Sequence, residues 1–573
     1  MTTVQPVWRL LETQPDRIDS LRASGLTDVP DAVLAMAAQR ALDTFGAVRD
    51  ACNPSMNQLH DPFRMRDMDT AVERLGEALR GRERILVYGD YDVDGTTAVT
   101  LVHHLLTPLF DHLDLYIPDR ATEGYGLSDA GIDHAIATGT DVLITLDCGI
   151  KATERIARAR AAGIDVIVCD HHLPPADLPP AHAVLDPKRP DCGYPFKELS
   201  GCGIGFKLMQ AFYHRQGLNM DPVLATLDLV AVSTASDLVP MRGENRVLTH
   251  FGLMRLNTAP RPGLRRLLEV CDLEPGALTV QDIVFRIGPR INAAGRLRHA
   301  RFAVEVLSGE TADAVDLHDL NRERQDTDRS ITAEAVELLS DTDQERRTIV
   351  VFQPHWHKGV VGIVASRLVE RYHKPTIVLC EHDGEVTGSA RSVPGFDVHA
   401  ALADCNDLLI RWGGHMYAAG MSMRPADVEA FRERFEAAVA SRIRPEHLRP
   451  VVDITATLTP ADVTLSFLNT VQRFAPFGPE NMEPVFQMLG VRDTGRSRRV
   501  GTEGDHLKIE VRGPNGSTAD GIAFGLGDRI DLMREGPVDL CFTLTRNEWN
   551  GRVSVQMMVQ DVRRAEGQVT ANP

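Results

Sequence analysis

The chain has 573 residues, 62 basic against 80 acidic side chains for a net charge of −18, and hydrophobic and charged fractions of 43% and 25%. That composition excludes a disordered, collagenous or disulfide-stapled chain, and at roughly 150 residues per domain it leaves room for about four folded units. Any nucleic-acid partner then has to be held by a local basic surface rather than by overall charge.

Nine cysteines, an odd number without a CxxC pair, read as thiols in a reducing compartment. The N-terminus has no secretory pattern, and no run of about 18 apolar residues could span a bilayer. The expected location is the cytoplasm, with no membrane contact.

Residues 1–81 read as a helical leader, because DAVLAMAAQRALDTF and TAVERLGEALR repeat apolar residues at helical spacing. From 82 to 240 the runs RILVYGD, LDLYIPD, DVLITLD and IDVIVCD alternate with helical stretches such as TTAVTLVHHLL and KATERIARARAAG. That alternation predicts a parallel sheet with helices on both faces. The proline-rich LPPADLPPAHAVLDPKRPDCGYP is an irregular excursion. Helices dominate 241–340, and the last, near EAVELLS, is long enough to join two domains. A second α/β unit, 341–450, begins at RRTIVVF and contains GEVTGSARSVPG and GGHMYAAGMS. Short strands in 451–566, such as HLKIEVRG and VDLCFTLTRN, predict a small antiparallel barrel, followed by a flexible tail at 567–573. The expected fold class is α/β: two α/β domains joined by a long helix, with a C-terminal β-barrel.

The acids fall at the strand ends. RILVYGD runs into Asp90, Asp92 and Asp94, DVLITLD ends at Asp147, and IDVIVCD ends at Asp170, followed by His171 and His172. Ligands of open parallel sheets bind outside the carboxyl ends of the strands, so these groups should meet in one crevice. Clustered carboxylates raise one another's pKa values unless a cation sits among them, and hard oxygens with one or two imidazoles suit Mn²⁺ or Mg²⁺ better than a closed zinc site. Cys148 and Cys169 adjoin the acids but should face the other side of their strands. Taken singly, each acid reads equally well as a helix N-cap or turn residue; it is their convergence on one sheet edge that favours a metal site. His103 and His104, inside an apolar helix, read as packing or surface residues.

YGDYDVDG, LDCG and CDHH together resemble the DHH phosphoesterase family, and STASDLVP, with Asp237, is similar to that family's fourth acidic motif. GSARS and GGH resemble the DHHA1 substrate-binding domain, and FAPFGPENMEPVF resembles the lead into an oligonucleotide-binding (OB) barrel. Length and domain order resemble the single-strand-specific DNA exonucleases of the family. The resemblance implies 5′→3′ hydrolysis of single-stranded DNA to mononucleotides, in repair and recombination, with two Mn²⁺ or Mg²⁺ ions. It makes Asp92, Asp94, Asp147, His171 and Asp237 ligands, with Asp147 bridging, and makes Asp90 and His172 catalytic residues that orient ligands or the scissile phosphate. A single-stranded DNA 5′ end is the implied partner, with a single-strand-binding protein and a helicase, and a monomer is the expected state. PFGPENMEP departs from the PFGxGNPEP-like run expected there: it keeps Phe477, Gly478 and Asn481 but loses a glycine and a proline.

Gripping a 5′ end calls for cations beside the metals. Arg120, in YIPDR, follows another strand and can face the same crevice; Ser389 and Arg391 alternate along one side of an extended segment and resemble the family's phosphate-gripping pair. Arg290 and Arg296 are expected along the channel between the two halves, and His415 against backbone or base; structural ion pairs are the competing account of each. In the barrel, Arg496, Arg498 and Arg499 form a basic patch, and Trp549 is the candidate stacking ring, with Phe524 assigned to the core in preference to stacking. With 5% aromatic residues, affinity should rest on phosphate contacts and fall with salt.

Three rivals share parts of this pattern: a DHH phosphodiesterase of short oligonucleotides or cyclic dinucleotides, a catalytically silent DNA-binding accessory factor, and a manganese pyrophosphatase. The long leader and barrel argue against the first and third, and the complete set of acids against the second.

Overall fold

In the computed structural model, which describes residues 5–309, 313–339, 345–549 and 551–565, the chain forms two units. One is Asn57–Pro450; the other joins Pro6–Met56 to the segment from Val451 onward. The stretch read as one helical leader is therefore divided. Val7–Leu10 is a strand paired in parallel with Val451–Ile454, whereas the helix Met68–Gly81 belongs to the first unit. The proposed tail, 567–573, lies outside the described residues.

The first sheet contains β1 (Ile85–Gly89), β2 (Leu113–Tyr116), β3 (Val142–Leu146), β4 (Asp165–Cys169) and β5 (Ala183–Leu185). They lie in the order β2-β1-β3-β4-β5, all parallel. Every residue of β1 and β3 is buried, as a strand covered on both faces requires. Helices Asp129–Ala137 and Thr153–Ala161 cover one face through Ile132 and Ile156. Helices α1 (Val93–Leu106), α2 (Gly201–Arg215) and α3 (Leu227–Ser236) pack together, α1 and α2 lying directly on the strands.

Register decides where the site forms. Gly89 pairs with Leu146, Leu146 with Cys169, and Cys169 with Leu185, so the next residues, Asp90, Asp147, Asp170 and Asp186, leave the sheet on one level. The connection reverses direction at β1, placing the crevice between β1 and β3.

The long helix α4 (Ala314–Glu337) leads into the second sheet, formed by β6 (Ile349–Phe352), β7 (Thr376–His382), β8 (Glu385–Arg391), β9 (Arg411–His415) and β10 (Ala418–Met423). Their order is β9-β10-β8-β7-β6, with only β6 and β7 parallel. Helix α5 (Val361–Tyr372) packs on β7 and β8 and presents its N-terminus at their edge.

The second unit is a seven-stranded barrel. Phe486–Asp493 pairs with Val538–Trp549 and also, through Arg492 and Asp493, with Arg512 and Val511, which closes the sheet on itself. Two pairings are parallel, Gly521 and Ile522 against Met557 and Met558, and Ala456 and Thr457 against Phe486 and Gln487, so the barrel is mixed rather than purely antiparallel. Leu21, Leu34 and Met36 of the N-terminal segment share its core with Phe486, Leu540 and Phe542. Despite the altered PFGPENMEP run, the turn closes: Asn481 donates to the carbonyls of Phe474 and Pro476. Among the described residues no helix is long and apolar enough to cross a membrane.

Candidate metal centre and anion cavity

The turn from β1 into α1 is tight. A Cβ on Gly95 would lie 2.3 Å from the carbonyl oxygen of Asp90, so glycine is the residue that lets the helix start this close to the strand. Asp92 caps α1, accepting from the Gly95 amide at 3.1 Å, which is the N-cap reading of that acid, and it also joins a cluster. Asp94 is fixed from the other side. Its Oδ2 accepts from the Gly201 amide at 2.6 Å, and its Oδ1 accepts from the Cys202 amide at 2.7 Å and from the Ser233 hydroxyl at 2.6 Å. The N-terminus of α2 thus holds an anion before any ligand binds.

Asp147 has a left-handed φ of 59°, and a Cβ on Gly201 would lie 2.6 Å from the Asp147 Cβ. Its Oδ1 lies 3.1 Å from His171 Nε2, which is also 3.7 Å from Asp94 Oδ2 and 3.6 Å from Asp237 Oδ2. Asp237 arrives at the C-cap of α3. Three sets of ligand atoms each lie within 4.8 Å of one another: Asp90, Asp92 and Asp147; Asp94, His171 and Asp237; Asp147, His171 and His172.

Burial and mutual repulsion push the Asp90, Asp147 and Asp237 carboxyls well above the ordinary carboxylate range, and Asp92 up as well. Burial keeps the His171 imidazole below its usual value, hence neutral with a lone pair to give. Asp90 Oδ2, Asp147 Oδ1 and His171 Nδ1 are buried without hydrogen-bond partners. Orphaned oxygens, crowded acids and a neutral imidazole fit hard divalent cations such as Mn²⁺ or Mg²⁺.

Asp170 leaves the sheet with the others but belongs to the turn. It accepts from the amides of Ile150, His171 and His172 and from His172 Nδ1, and despite its burial those bonds hold its carboxyl low. It is therefore the orienter of the histidine pair rather than a member of the crowded cluster. At His172 burial is the largest influence and lowers the imidazole, but the same bond together with the charges of Asp170, Asp94 and Asp92 overcomes it and leaves the group raised. Three residues near the cluster escaped the sequence reading. The Tyr125 hydroxyl lies 2.9 Å from His172 Nε2. Asp186, at the end of β5, is pushed up to about 7 by burial, and Lys188 lowers Asp237 by its charge. Asp186 could have been found by its LD strand end; nothing in the sequence marks Tyr125.

The expected phosphate-binding residues divide. Tyr91, Arg120, Arg296, Ser389 and Arg391 share one cavity of about 870 Å³, which also takes in Gly362 at the N-terminus of α5. The Arg120 guanidinium lies 5.0 Å from the centre of the Tyr91 ring, Arg391 donates to Ser389 Oγ at 2.7 Å, and Arg296 donates to the Gly359 carbonyl at 3.1 Å. Among the described residues none of these three arginines pairs with a carboxylate. Burial first, then the charges of Arg120, Arg324 and Arg391, push Arg296 down to about 9. Such a cluster calls for an anion. Arg290 does not line this cavity: it turns to His318 and to the Arg286 carbonyl and acts in packing. His415 ends β9, within electrostatic reach of Lys151 and His172; burial first and then those charges lower its imidazole.

On the barrel, Arg496 and Arg498 line a groove of about 280 Å³ with Lys508. Arg499 alternates away from it and donates to the Gly527 carbonyl at 2.8 Å. Phe524, assigned to the core from sequence, is 59% exposed beside His506, because the in-and-out alternation of Thr518–Ala523, in which Ala519, Gly521 and Ala523 face inward, turns the next residue outward. The Trp549 side chain lies outside the described residues.

Residues 84–234 match the family model of the DHH family, N-terminal domain; residues 345–441 match that of the DHHA1 domain, and residues 454–561 that of the RecJ OB domain. The chain is 34% identical over 572 residues to the single-stranded-DNA-specific exonuclease RecJ of Bacillus subtilis strain 168, covering 98% of this chain and 71% of that one. It is also 34% identical to the protein of that name from Escherichia coli K12, covering 86% and 90%. Its structure is similar to RecJ in complex with Mn²⁺ from Thermus thermophilus, with a TM-score of 0.82 at 31% identity, covering 98% of this chain and 80% of the other.

Proposed function

This chain belongs to the RecJ family of single-stranded-DNA-specific exonucleases, and from that membership we propose that it hydrolyses single strands from the 5′ end, one nucleotide at a time. The observation that carries the proposal is a shared wall. Tyr91, between Asp90 and Asp92, lines the arginine cavity, so an anion seated there lies next to the carboxylate cluster. A terminal phosphate held by Arg120, Ser389 and Arg391 brings the first internucleotide linkage to the acids, and what leaves is a mononucleotide.

Asp92, Asp94, Asp147, His171 and Asp237 would hold the divalent ions, Mn²⁺ or Mg²⁺, which when bound lower the pKa of water and stabilise both oxygens of an in-line displacement. The protein supplies the rest. The α2 amides and Ser233 fix Asp94, and Gly201 leaves room for Asp147. Asp170 aims His172 through Nδ1 and leaves its Nε2 against the Tyr125 hydroxyl at 2.9 Å, and the neighbouring carboxylates favour the charged imidazole, which suits this pair to a phosphate oxygen. The guanidiniums desolvated around Arg296 orient the strand end. Arg496 and Arg498 guide the strand over the barrel as phosphate contacts. As a wider context we propose a monomer in the cytoplasm, where nine free cysteines stay reduced, working in repair and recombination beside a single-strand-binding protein and a helicase.

The test gives the purified protein Mn²⁺ and end-labelled DNA: 5′-labelled and 3′-labelled single strands, duplexes and dinucleotides. Mononucleotide release from single-stranded 5′ ends alone is expected. Arg391→Ala should erase the preference for a 5′-phosphorylated end, and Arg391→Lys should not restore it, because an ammonium cannot bind two phosphate oxygens side by side. Release from 3′ ends or duplexes at equal rate overturns the proposal.

A further inference from the structure

The arginine cavity is far larger than one terminal phosphate. A water molecule occupies about 30 Å³ of liquid and a phosphate group only a few times that, against about 870 Å³ here. The wall continues past Arg296 to Arg298, His357 and Lys358, and with Arg120 and Arg391 includes five cationic side chains, of which Arg298 faces Asp316 at 3.9 Å, against two carboxylates. One of those two, Asp119, is already engaged by the Thr122 hydroxyl and the amides of Ala121 and Thr122. A 5′-monophosphate brings about −1.5 to −2 charges at pH 7, which leaves the chamber with cations to spare.

The segment carrying Lys358 is anchored. Trp356 is buried and donates from Nε1 to Glu334 at 2.8 Å, the Gly359 amide donates to His357 Nδ1 at 3.1 Å, and the Gly359 carbonyl is the acceptor of Arg296. Lys358 is itself exposed at this fixed turn and, among the described residues, makes no ion pair. The chamber is thus a built extension of the phosphate site, with Lys358 and His357 in the same wall as Arg120, Ser389 and Arg391.

We propose that this chain accepts single strands whose 5′ end carries a triphosphate, seating the innermost phosphate at Arg120, Ser389 and Arg391 and the outer two toward Lys358 and His357. The inference rests on the exonuclease reading above. Water adds to the phosphorus of the first internucleotide linkage, the bond from that phosphorus to the terminal nucleotide's 3′ oxygen breaks, and that oxygen takes a proton. The terminal residue leaves as a nucleoside 5′-triphosphate with its anhydride bonds intact. The shortened strand keeps a 5′-monophosphate and re-enters the ordinary cycle.

The experiment compares oligodeoxynucleotides identical except for a 5′-hydroxyl, a 5′-monophosphate or a 5′-triphosphate, with Mn²⁺, and identifies the first released nucleotide by mass spectrometry. The triphosphate strand should be cut within about tenfold of the monophosphate strand and should release a nucleoside triphosphate first. Lys358→Ala should lower kcat/KM on the triphosphate strand by about tenfold or more, the size of one hydrogen bond to a charged group, while the monophosphate strand stays within about twofold. Rejection of the triphosphate end, release of pyrophosphate with a monophosphate, or equal loss on both strands would overturn the inference while leaving the exonuclease reading standing. Free nucleoside triphosphate that blocks the monophosphate strand, with the triphosphate strand uncut, would assign the chamber to a free nucleotide instead and equally overturn it. Failure on the monophosphate strand as well would sink both.

Discussion

Asp147→Asn is expected to stabilise the metal-free protein while abolishing its chemistry. An Asp147 oxygen lies within 4.8 Å of oxygens of Asp90 and Asp92, and burial together with the charges of Asp94, Asp92, Asp237 and Asp90 holds its carboxyl far above the ordinary range. Two carboxylates at such a separation repel by roughly 3 kcal/mol at an effective dielectric near 20. Because crowded acids share protons when no cation is present, the relief on removing one is smaller, about 1–3 kcal/mol. Asn tolerates the φ of 59° well, and Asp147 Oδ1 has no hydrogen bond to lose. Urea unfolding in EDTA and in excess Mn²⁺ measures both sides. In EDTA the variant should be the more stable protein. In Mn²⁺ at a hundredfold excess over Kd the wild type should gain about 2.7 kcal/mol, and the variant less than half of that. Hydrolysis should fall further than the roughly 10–100-fold seen when only an outer partner of a metal ligand is lost. A variant that is destabilised in EDTA, or that Mn²⁺ stabilises as strongly as wild type, refutes the reasoning that these acids form a cation nest.

The pH dependence has a definite sign. Asp90, Asp147 and Asp237 are raised in the folded state, so the metal-free protein should lose stability as pH climbs through those raised values and regain it on acidification toward the ordinary carboxylate pKa; unfolding in EDTA at several pH values between neutrality and mild acid checks this, and Mn²⁺, competing with protons, should reverse the trend. Gly201→Ala adds a Cβ 2.6 Å from that of Asp147, an overpacking of about 1–3 kcal/mol that should appear as weaker Mn²⁺ binding by titration calorimetry with the fold retained by circular dichroism. Glu244→Ala leaves the fully buried Lys207 ammonium without its partner at 2.7 Å and strips the acceptor from Tyr194, so the loss should reach about 3–5 kcal/mol in urea unfolding, far more than any exposed pair would give.

The strand-end acids are legible in the sequence because β1 and β3 are continuous apolar runs that must be buried on both faces, and a parallel sheet then forces their ends to one edge. What the sequence does not carry is which acid faces the crevice. Asp147 and Asp170 follow equivalent strands, yet one is left without a hydrogen-bond partner at Oδ1 while the other accepts three times within its own turn and once from the Ile150 amide. Arg290 and Arg296 differ in the same way: both lie in RIGPRINAAGRL, but only Arg296 reaches the cavity. Such differences arise from side-chain direction and backbone φ, which residue types at a given spacing leave open. The N-terminal strand escaped for another reason, since its partner lies more than four hundred residues away and no local pattern announces a pairing at that range.

That distant pairing has a bearing on synthesis. Pro6–Met56 emerges from the ribosome ahead of the catalytic unit, yet its barrel partner segment begins only at Val451. At about 5–20 residues per second, the intervening stretch takes on the order of 20–80 s to translate, and throughout that interval Leu21, Leu34 and Met36 have no barrel core to enter. The catalytic unit is fully made before the barrel, so a nascent chain can carry a finished acid cluster while Pro6–Met56 still waits. Chaperone dependence should therefore concentrate on Pro6–Met56, and translation that stalls before Val451 should yield a chain that is aggregation-prone in that segment rather than at its unfinished end.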